Sequence, residues 1–522
     1  MTHASINNEY PKQIPWSNSL LRLADRFGDD VAISDGAGRQ LTYRQMCDKA
    51  HALATRLRGL GMRAGQPVGV LLPNSLEAVW VSYGIRLCGA AETPLSWSST
   101  PDELQWAATI ASLNWVVSCP ERADGLCALG LTPLLLDSVE ERRKLETFAA
   151  VPAELPGRIL LTSGTTGKPK GVLYRHGARY VGEQLLKATL PFIPVRGERI
   201  LLMTPFVHGA SLLTYAWCDA GAEVVLLDGV DIDRIRLLLN QGSLTAIFAP
   251  PTVLAKMTAA FEGIKFSGVK CIFTGTQPLS ATIYNKACEM FGPVVRVTYG
   301  KSECVNPITV LDSESTHAYF SSDEGSRAGA CVGWPAPGVE IRIATPEPVD
   351  NHQEHDDGEI MLRAPQMSSG LLTPAGFMPH GDEGWHATGD LGYFDPRGRL
   401  MLTGRIADVI KTGGYRVNPD EIEALVTGMS QCGQVCVTSV PSDYWGEVIV
   451  AVAEQAQVGW VQQVEQRVSV LSRHKRPRIH LELPELARNP QGKVSRRQVS
   501  AEILRKFVLN DGPYPTMTAL AQ

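Results

Sequence analysis

The 522 residues of this chain exceed the roughly 250–300 at which a single hydrophobic core stops growing, so two or more domains are expected. Hydrophobic residues make up 44% of the chain and charged residues 20%, a composition typical of a folded globular enzyme and not of a disordered chain. The formal net charge of −5 provides no overall field to attract nucleic acid, so nucleic acid is not an expected partner.

The cysteines and the apolar runs indicate the cellular compartment in which the protein is expected. The 11 cysteines include no Cys-x-x-Cys pair, which argues against a disulfide framework and against a zinc site. Residues 1–16 lack the basic start and apolar centre of a secretory signal. No uninterrupted apolar run reaches the length of about 20 residues that crosses a bilayer. We therefore expect a cytoplasmic protein without a membrane span.

Amphipathic helical stretches alternate with short apolar runs through most of the chain, which predicts α/β layers with mostly parallel strands. The predicted helices include 41–60, with Thr42 as its N-cap, and 101–111. The predicted strands are short apolar runs: 68–72, 201–203, 224–227, 246–248 and 271–273.

Glycine and proline become dense between residues 325 and 405, and short runs such as 359–363 are typical of antiparallel strands. A β-rich subdomain is therefore predicted there. Together with the layered α/β subdomains it completes a large N-terminal domain over residues 1–405.

A second, smaller domain is predicted over residues 406–522. The strand-like run 409–411 leads into Gly413 and Gly414, and residues 418–423 have the form of a helix start with proline in the first turn. These features predict a mobile α+β domain.

Residues 161–171 read Leu-Thr-Ser-Gly-Thr-Thr-Gly-Lys-Pro-Lys-Gly. Such a loop offers backbone N–H groups and hydroxyls to phosphate oxygens, and its lysines supply countercharge, although a flexible surface turn has a similar composition. It is not a Walker loop, because the spacing from Gly164 to Lys168 is wrong and Pro169 replaces the required Ser or Thr. This departure counts against a P-loop kinase or GTPase.

Further polar motifs follow at 299–303 (Tyr-Gly-Lys-Ser-Glu), 388–390 (Thr-Gly-Asp), 404–417 and 489–496. Each alone is also explained by an ordinary turn or solvated loop. In this order and spacing they resemble the adenylate-forming superfamily of acyl- and aryl-CoA ligases, luciferases and peptide-synthetase adenylation domains. The pattern is closest to the acyl- and aryl-CoA ligases.

The resemblance implies a phosphate and metal site. Glu303 resembles the carboxylate that holds Mg²⁺, and hard cations prefer such oxygen ligands. Ser302 stands where the family more often has Thr, and it retains a hydroxyl. The phosphate loop would bind the β- and γ-phosphates of ATP through Thr162, Ser163, Gly164, Thr165, Thr166 and Lys170.

The resemblance also implies a nucleoside site. Tyr299 resembles the residue that lies against adenine, and Asp390 resembles the acid that accepts the ribose hydroxyls, with Arg405 as its companion. The remaining residues assigned to this site surround the adenine: Gly275, Thr276, Gln277 and Gly300.

Lys493 matches the C-terminal lysine that reaches the acid carboxylate and the α-phosphate. A cation is needed there because negative charge builds at the pentavalent phosphorus. The resulting mixed anhydride is a strong acyl donor for a thiolate, so positioning does most of the catalysis and no acyl-enzyme is expected.

Gly413 and Gly414 occupy the place where relatives line a narrow pantetheine passage, and glycine lets a thiol arm approach the backbone closely. An ordinary hairpin turn is the alternative interpretation. Relatives commonly carry Asp or Lys at the hinge between the domains, whereas Ala407 occupies the matching position here, followed by Asp408. The hinge assignment therefore stays open.

The acid pocket of relatives includes a segment that matches 206–211, where amino-acid-activating domains usually place an Asp. A buried ammonium needs such a counter-charge, and none is present, so an aryl or alkyl acid is favoured. His208 has two interpretations, a residue that steers the carboxylate in the thioester step and a satisfied core residue. The basic run 473–478 likewise fits a solvated face or a site for the 3′-phosphate of coenzyme A.

We therefore predict a ligase that uses ATP and Mg²⁺ to convert a carboxylic acid to its acyl adenylate and passes the acyl group to coenzyme A. Transfer to the phosphopantetheine arm of a separate acyl carrier protein is one alternative, and a luciferase-like oxygenase is another. A catalytically silent binding protein is a third, but the intact Lys170, Glu303, Asp390 and Lys493 argue against it.

Overall fold

The fold is known from a computed structural model, which describes residues 11–136, 147–162, 169–275, 277–322, 329–344, 357–426, 428–429, 432–488 and 493–520. The α-helices, numbered in chain order, are α1 Trp16–Phe27, α2 Tyr43–Gly59, α3 Leu76–Cys88, α4 Pro101–Ala111, α5 Ala123–Ala128, α6 His176–Ala188, α7 Ser211–Cys218, α8 Ile232–Asn240, α9 Pro251–Ala260, α10 Ala281–Phe291, α11 Ser313–Phe320, α12 Pro419–Val426, α13 Trp460–Val468 and α14 Arg496–Lys506. The strands are β1 Gln13–Ile14, β2 Val31–Asp35, β3 Gln40–Thr42, β4 Pro67–Leu71, β5 Ala91–Leu95, β6 Trp115–Ser118, β7 Thr132–Leu135, β8 Val151–Pro152, β9 Pro156–Thr162, β10 Lys170–Arg175, β11 Arg199–Leu202, β12 Glu223–Leu226, β13 Leu244–Phe248, β14 Cys271–Gly275, β15 Val295–Thr298, β16 Thr309–Val310, β17 Ala330–Pro335, β18 Glu340–Ala344, β19 Gly358–Arg363, β20 Gly370–Thr373, β21 Gly376–Pro379, β22 His386–Phe394, β23 Leu400–Arg405, β24 Ile410–Thr412, β25 Tyr415–Val417, β26 Gln434–Ser442, β27 Gly446–Glu454, β28 Ile479–Leu483, β29 Phe507–Asn510 and β30 Thr516–Ala519.

Local capping signals explain where the predicted helices begin. The Thr42 hydroxyl oxygen accepts a hydrogen bond of 3.2 Å from the Gln45 N–H. In return, the Thr42 N–H donates a hydrogen bond of 2.9 Å to Gln45 Oε1. Such a cap stabilises a helix by about 1 kcal/mol. The predicted start at 41 is therefore wrong by two residues, since the cap residue is extended and Leu41 lies in β3. The helix predicted at 101–111 is present as α4, with Pro101 in its first turn.

Two large sheets form the α/β part of the N-terminal domain. The first has the order β21-β20-β10-β9-β5-β4-β6-β7, and the second has the order β15-β14-β13-β11-β12-β2-β3. Strands β9, β5, β4, β6 and β7 of the first sheet are parallel to one another, as are strands β15, β14, β13, β11, β12 and β2 of the second. Next to these runs, β10 pairs antiparallel with β9, and β3 pairs antiparallel with β2. The predicted parallel α/β architecture is confirmed, and the predicted strands differ from the observed ones by one or two residues at their ends.

The main apolar core joins the two sheets. It combines side chains from α1, α2, α3 and α7 with side chains from both sheets. Trp217 of α7 is fully buried and meets the ring of Phe273 in β14 edge-on, with the ring centroids 5.7 Å apart. Helices shared by both sheets hold the strand ends of the second sheet in a fixed position relative to the first.

The predicted β-rich region is present as an antiparallel sheet with the order β16-β17-β23-β22-β19-β18. Two differences from the sequence prediction stand out. The sheet begins earlier, at β16, and the hairpin β20–β21 leaves it to pair with β10 of the first sheet. The pairing partner of an edge strand is a distant segment, so the local composition of residues 325–405 does not reveal it.

The C-terminal region has the predicted α+β form. Strands β25, β24, β27 and β26 pair in that order, and β28 adds parallel to β27. The apolar clusters on this sheet draw on residues from Ile410 onward, within the part of the chain that the structure describes. The predicted boundary between residues 405 and 406 falls between β23 and the short 3₁₀ turn Ile406–Asp408. Among the described helices, none is both long and apolar enough to span a bilayer.

Candidate active site

One edge of the second sheet carries part of the predicted site. Strands β11, β13, β14 and β15 are parallel and end there together, and open α/β sheets bind ligands outside the carboxyl ends of such strands. Beyond β11, the backbone of His208 lies in a single π-helical turn, Phe206–Ala210. The Phe206 N–H donates a hydrogen bond of 3.0 Å to Asn74 Oδ1, which ties this turn to the first sheet. π-helical turns are frequent at functional sites.

The predicted adenine wall lies at two neighbouring strand ends. Gly275 ends β14 directly opposite Thr298, which ends β15. A Cβ atom at Gly275 would lie 2.4 Å from the Thr298 carbonyl oxygen, so this close approach requires glycine. Tyr299 follows and is buried, and Gln277 is half-buried beyond β14, whereas Thr276 lies outside the described residues. The fold thus places Gly275 against the residue that precedes Tyr299, and Gln277 follows the same strand end.

The predicted phosphate loop connects two antiparallel strands of the first sheet. Thr162 ends β9 and pairs with Lys170, which begins β10. The indole N–H of Trp106 donates a hydrogen bond of 2.8 Å to the Pro169 carbonyl and fixes the end of the loop. Lys170 is half-buried. The other predicted loop residues, Ser163, Gly164, Thr165 and Thr166, lie outside the described residues.

The predicted ribose acid, Asp390, is buried between an aromatic hydroxyl and a guanidinium. Asp390 Oδ2 accepts a 2.5 Å hydrogen bond from Tyr299 Oη, and Asp390 Oδ1 lies 3.2 Å from Arg405 Nε. Asp390 and Arg405 face each other in the β22–β23 pair. Burial, and then the charge of Asp390, raises the pKa of Tyr299 far above its ordinary value. The phenol therefore stays protonated and donates to the carboxylate.

A second cation at Asp390 is one that the sequence analysis missed. Lys301 Nζ lies 3.1 Å from Asp390 Oδ2 and donates a hydrogen bond of 2.6 Å to the Thr388 carbonyl. Its side chain is only 14% exposed. The sequence does contain a signal for this contact, because Lys301 lies inside the Tyr299–Glu303 motif. A lysine that is buried with such a motif usually has a charged partner.

The segment after Tyr299 is held by hydrogen bonds to its carbonyl groups. The Tyr174 hydroxyl of β10 donates to the Ser302 carbonyl at 2.6 Å, and the Ser368 N–H donates to the Glu303 carbonyl at 2.8 Å. A Cβ atom at Gly300 would lie 2.2 Å from Asn306 Oδ1, so any other residue there would require the Asn306 side chain to move. Ser302 is exposed and Glu303 is half-buried, and both follow the strand ends at the sheet edge.

Glu303 fits the predicted Mg²⁺ ligand in its chemistry. Within the described residues, no three or more His, Cys, Asp or Glu side chains cluster as an all-protein metal cage. Mg²⁺ is commonly held by one or two carboxylates together with substrate phosphates, so the single half-buried carboxylate of Glu303 suits it.

Lys493 comes from the C-terminal region, yet the charge of the ribose acid reaches it. It is half-buried. Burial, and after it the charge of Arg405, lower the pKa of its ammonium to about 8. The charge of Asp390 acts on this pKa in the opposite direction. Charges perturb a pKa in this way only at short range. Lys493 therefore lies within electrostatic range of Arg405 and Asp390, although it comes from a separate part of the chain.

Gly413 and Gly414 form the two-residue turn between β24 and β25. Both have positive φ, 57° and 85°, as in the turns that suit the twist of a hairpin. The Gly413 N–H donates a hydrogen bond of 2.8 Å to the Trp445 carbonyl. The hairpin interpretation therefore describes their backbone, and a role in lining a passage is compatible with it.

Two ion pairs flank the predicted hinge. Arg405 is anchored to Asp390 on the N-terminal side, and Asp408 Oδ2 lies 2.8 Å from Arg496 Nη1 of the C-terminal domain. Ile406 and Ala407 lie between these anchors. A rotation between the domains that preserves both ion pairs would have to take place in these two residues.

The basic run 473–478 is partly engaged within its own domain. The His474 ring stacks on Tyr415, with centroids 4.0 Å apart, and Lys475 Nζ lies 3.0 Å from Glu421. The Arg478 guanidinium lies 3.8 Å from the centre of the Trp445 ring. These contacts place the run next to the Gly413–Gly414 turn.

Comparisons with known proteins agree with this fold and site. The sequence pattern of the AMP-binding enzymes matches residues 20–372. A long-chain-fatty-acid–CoA ligase of Mycobacterium tuberculosis, FadD13, is 26% identical over 89% of this chain and 94% of its own, and a 4-coumarate-CoA ligase of Narcissus pseudonarcissus is 26% identical over 94% of each chain. The solved structure of ATP-bound MatB from Rhodopseudomonas palustris superposes with a TM-score of 0.78 at 26% identity and covers 93% of this chain and 99% of its own. The fold therefore has the large N-terminal and smaller C-terminal domains of adenylate-forming enzymes, and the chain belongs to the AMP-binding enzyme family.

Proposed function

We propose that this protein uses ATP and Mg²⁺ to activate a carboxylic acid as its acyl adenylate, releases pyrophosphate, and then transfers the acyl group to the thiol of coenzyme A. The observation that carries the proposal is that Lys493 lies within electrostatic range of Asp390 and Arg405, which form an ion pair with each other. A cation from the C-terminal domain is thereby within reach of the predicted ribose site of the N-terminal domain, near which we expect the α-phosphate of a bound nucleotide.

Each predicted residue then has a physical task. Asp390 accepts the ribose hydroxyls, Tyr299 lies against the adenine, and Lys170 and the loop before it bind the outer phosphates. Mg²⁺, held by Glu303, neutralises phosphate charge when it is bound. Lys493 donates to the α-phosphate oxygens and stabilises the charge that develops there when the acid carboxylate attacks.

The two reactions require different surroundings for the same intermediate. Adenylate formation needs Lys493 at the α-phosphate, whereas thioester formation needs a path for the pantetheine arm past Gly413 and Gly414. We propose that the domain beyond residue 405 turns about Ile406 and Ala407 between the two reactions, because both neighbours of this pair are anchored by ion pairs.

The substrate is proposed to be an aryl or alkyl acid without an α-ammonium group. Residues 206–211 contain no acidic side chain. The two ligases named above act on a long-chain fatty acid and on 4-coumarate, and neither acid carries an α-ammonium. His208 remains a proposed guide for the acid carboxylate.

A pyrophosphate-release screen over aryl, fatty and dicarboxylic acids tests the proposal. Each acid is assayed alone, with coenzyme A, and with a phosphopantetheinylated acyl carrier protein, and the Lys493→Ala variant is the control for background release. We expect AMP and pyrophosphate with at least one acid and thioester formation with coenzyme A. ADP and orthophosphate as the only products would refute adenylation, and transfer to the carrier protein alone would replace the proposed acceptor.

A further inference from the structure

The last two strands, β29 and β30, form a hairpin beyond every motif of the sequence analysis. Phe507, Leu509 and Met517 pack against the apolar cluster of β27, β28 and α14. The hairpin is thereby attached to the C-terminal domain, on the same side as Trp445, which contributes to that cluster.

Asp511, in the turn of this hairpin, caps the turn between β26 and β27. Its Oδ1 accepts a hydrogen bond of 2.6 Å from Ser442 Oγ, and its Oδ2 accepts hydrogen bonds from the Asp443 and Tyr444 N–H groups at 2.6 and 3.1 Å. The bond from Ser442, followed by the backbone bonds, lowers the pKa of the Asp511 carboxyl. The capping group is therefore a carboxylate near neutral pH, and charge-assisted bonds of this kind are stronger than neutral ones.

Trp445 connects this capped turn to the Gly413–Gly414 turn. Its backbone N–H donates to Ser442 Oγ at 2.9 Å, and its indole N–H donates to the Gly512 carbonyl of the hairpin at 2.9 Å. On its other side, the Trp445 carbonyl accepts the hydrogen bond from Gly413, and a Cβ atom at Gly413 would lie 3.0 Å from the indole ring. Neither glycine has a side chain to pack, so the position of their turn depends on neighbours such as Trp445.

We propose that the C-terminal hairpin is a positioning element for the thioester-forming reaction, because Asp511 and Gly512 hold Trp445 and Trp445 holds the Gly413–Gly414 turn. This inference rests on the proposed function of that turn as part of the thiol passage. The contacts of Asp511 and Gly512 described above lie within the C-terminal domain. The adenylate-forming reaction, which depends on Asp390, Arg405 and Lys493, should therefore be insensitive to them.

The full-length Asp511→Ala and Ser442→Ala variants test the proposal. The matched control is Tyr514→Ala in the same hairpin, because the Tyr514 side chain is 91% exposed. Acid-dependent exchange of labelled pyrophosphate into ATP measures the first reaction, and single-turnover conversion of supplied acyl adenylate by coenzyme A measures the second. We expect the second rate to fall about tenfold in both variants, the usual scale for losing a hydrogen bond to a charged group, and the first to change less than about twofold. The control should match the wild type in both.

Equal losses in the two reactions, or no loss in either, would overturn the proposal. The thermal unfolding temperature of each variant is also measured. A lower rate in a variant that unfolds at the wild-type temperature is not caused by loss of folded protein. Should Asp511→Ala fail to fold, Ser442→Ala and Trp445→Phe carry the same comparison, since the latter removes the indole donor to Gly512 and keeps an aromatic ring. A wild type that forms the adenylate but transfers nothing to coenzyme A would contradict the proposed function instead, and the wild-type assay alone reveals this.

Discussion

Lys301 Nζ lies 3.1 Å from Asp390 Oδ2, the same oxygen that accepts the hydrogen bond from Tyr299. If Asp390 binds the ribose hydroxyls, Lys301 fixes the orientation of that carboxylate without touching the nucleotide. We predict that Lys301→Met raises the KM for ATP about five- to tenfold and changes kcat much less, because one contact to a buried charge is lost. Steady-state kinetics measure both constants.

A nucleotide without ribose hydroxyls provides the control for this prediction. With 2′,3′-dideoxy-ATP, wild type and Lys301→Met should have similar KM values, because Asp390 then has no hydroxyl to bind. Lys301→Arg should retain most of the wild-type affinity for ATP. An equal penalty with both nucleotides would show that Lys301 acts by another route.

The pH dependence of adenylate formation should report the ammonium of Lys493. Its pKa in the folded protein is lowered to about 8, mainly by burial, so its charge is present below pH 8 and is lost as the pH rises through that value. We predict that the exchange rate falls about tenfold per pH unit above this pKa. The Lys493→Arg variant, which remains charged throughout, should be slower but show no such fall. A fall that persists in the arginine variant would assign the titration to another group.

The two reactions should separate in two single variants. Lys493→Ala should lose adenylate formation by about 10²–10³, the scale of a lost transition-state contact, and still convert supplied adenylate to thioester. Gly414→Leu should do the reverse. Gly459→Leu is the matched control, because Gly459 also has positive φ, 93° against 85° at Gly414, with open space around its Cα. For each of the two reactions, this control should have the same rate as the wild type.

Ile406→Pro should block rotation between the domains while preserving the orientation seen here. Arg405 before it is extended, with φ −126° and ψ 141°, which is the conformation that a following proline requires. Proline also suits the first position of the Ile406–Asp408 turn, but it fixes φ there. We predict normal pyrophosphate exchange and a large loss of thioester formation, with Ile406→Ala unaffected in both. Undiminished thioester formation in the proline variant would exclude a pivot at this residue.

Free α-amino acids should be poor substrates, since residues 206–211 provide no counter-charge for a buried ammonium. Matched pairs of acids that differ only in the α-ammonium, such as phenylalanine and 3-phenylpropanoate, make this prediction specific. Pyrophosphate exchange that is stronger with the amino acid of a productive pair would contradict it.

Local signals in the sequence predicted the elements well, whereas contacts between distant segments were not predictable. Thr42 and Thr100 mark helix starts because each side chain bonds the backbone three residues later. The contact of Lys301 with Asp390 and that of Asp408 with Arg496 join segments far apart in the chain, and single-sequence patterns contain no information on such distances. The family motifs pointed to Asp390 and Lys493 as functional, and the fold supplied their proximity.

The placement of β2 and β3 limits how this protein can be divided into fragments. These strands complete the second sheet beside β12, although the rest of that sheet comes from residues 199–298. A fragment that began after Thr42 would leave Val224–Leu226 of β12 without their parallel partner, and an unpaired strand edge invites association with other chains. Shortened versions for expression or crystallisation should therefore retain residues 31–42 and be cut instead between residues 405 and 406.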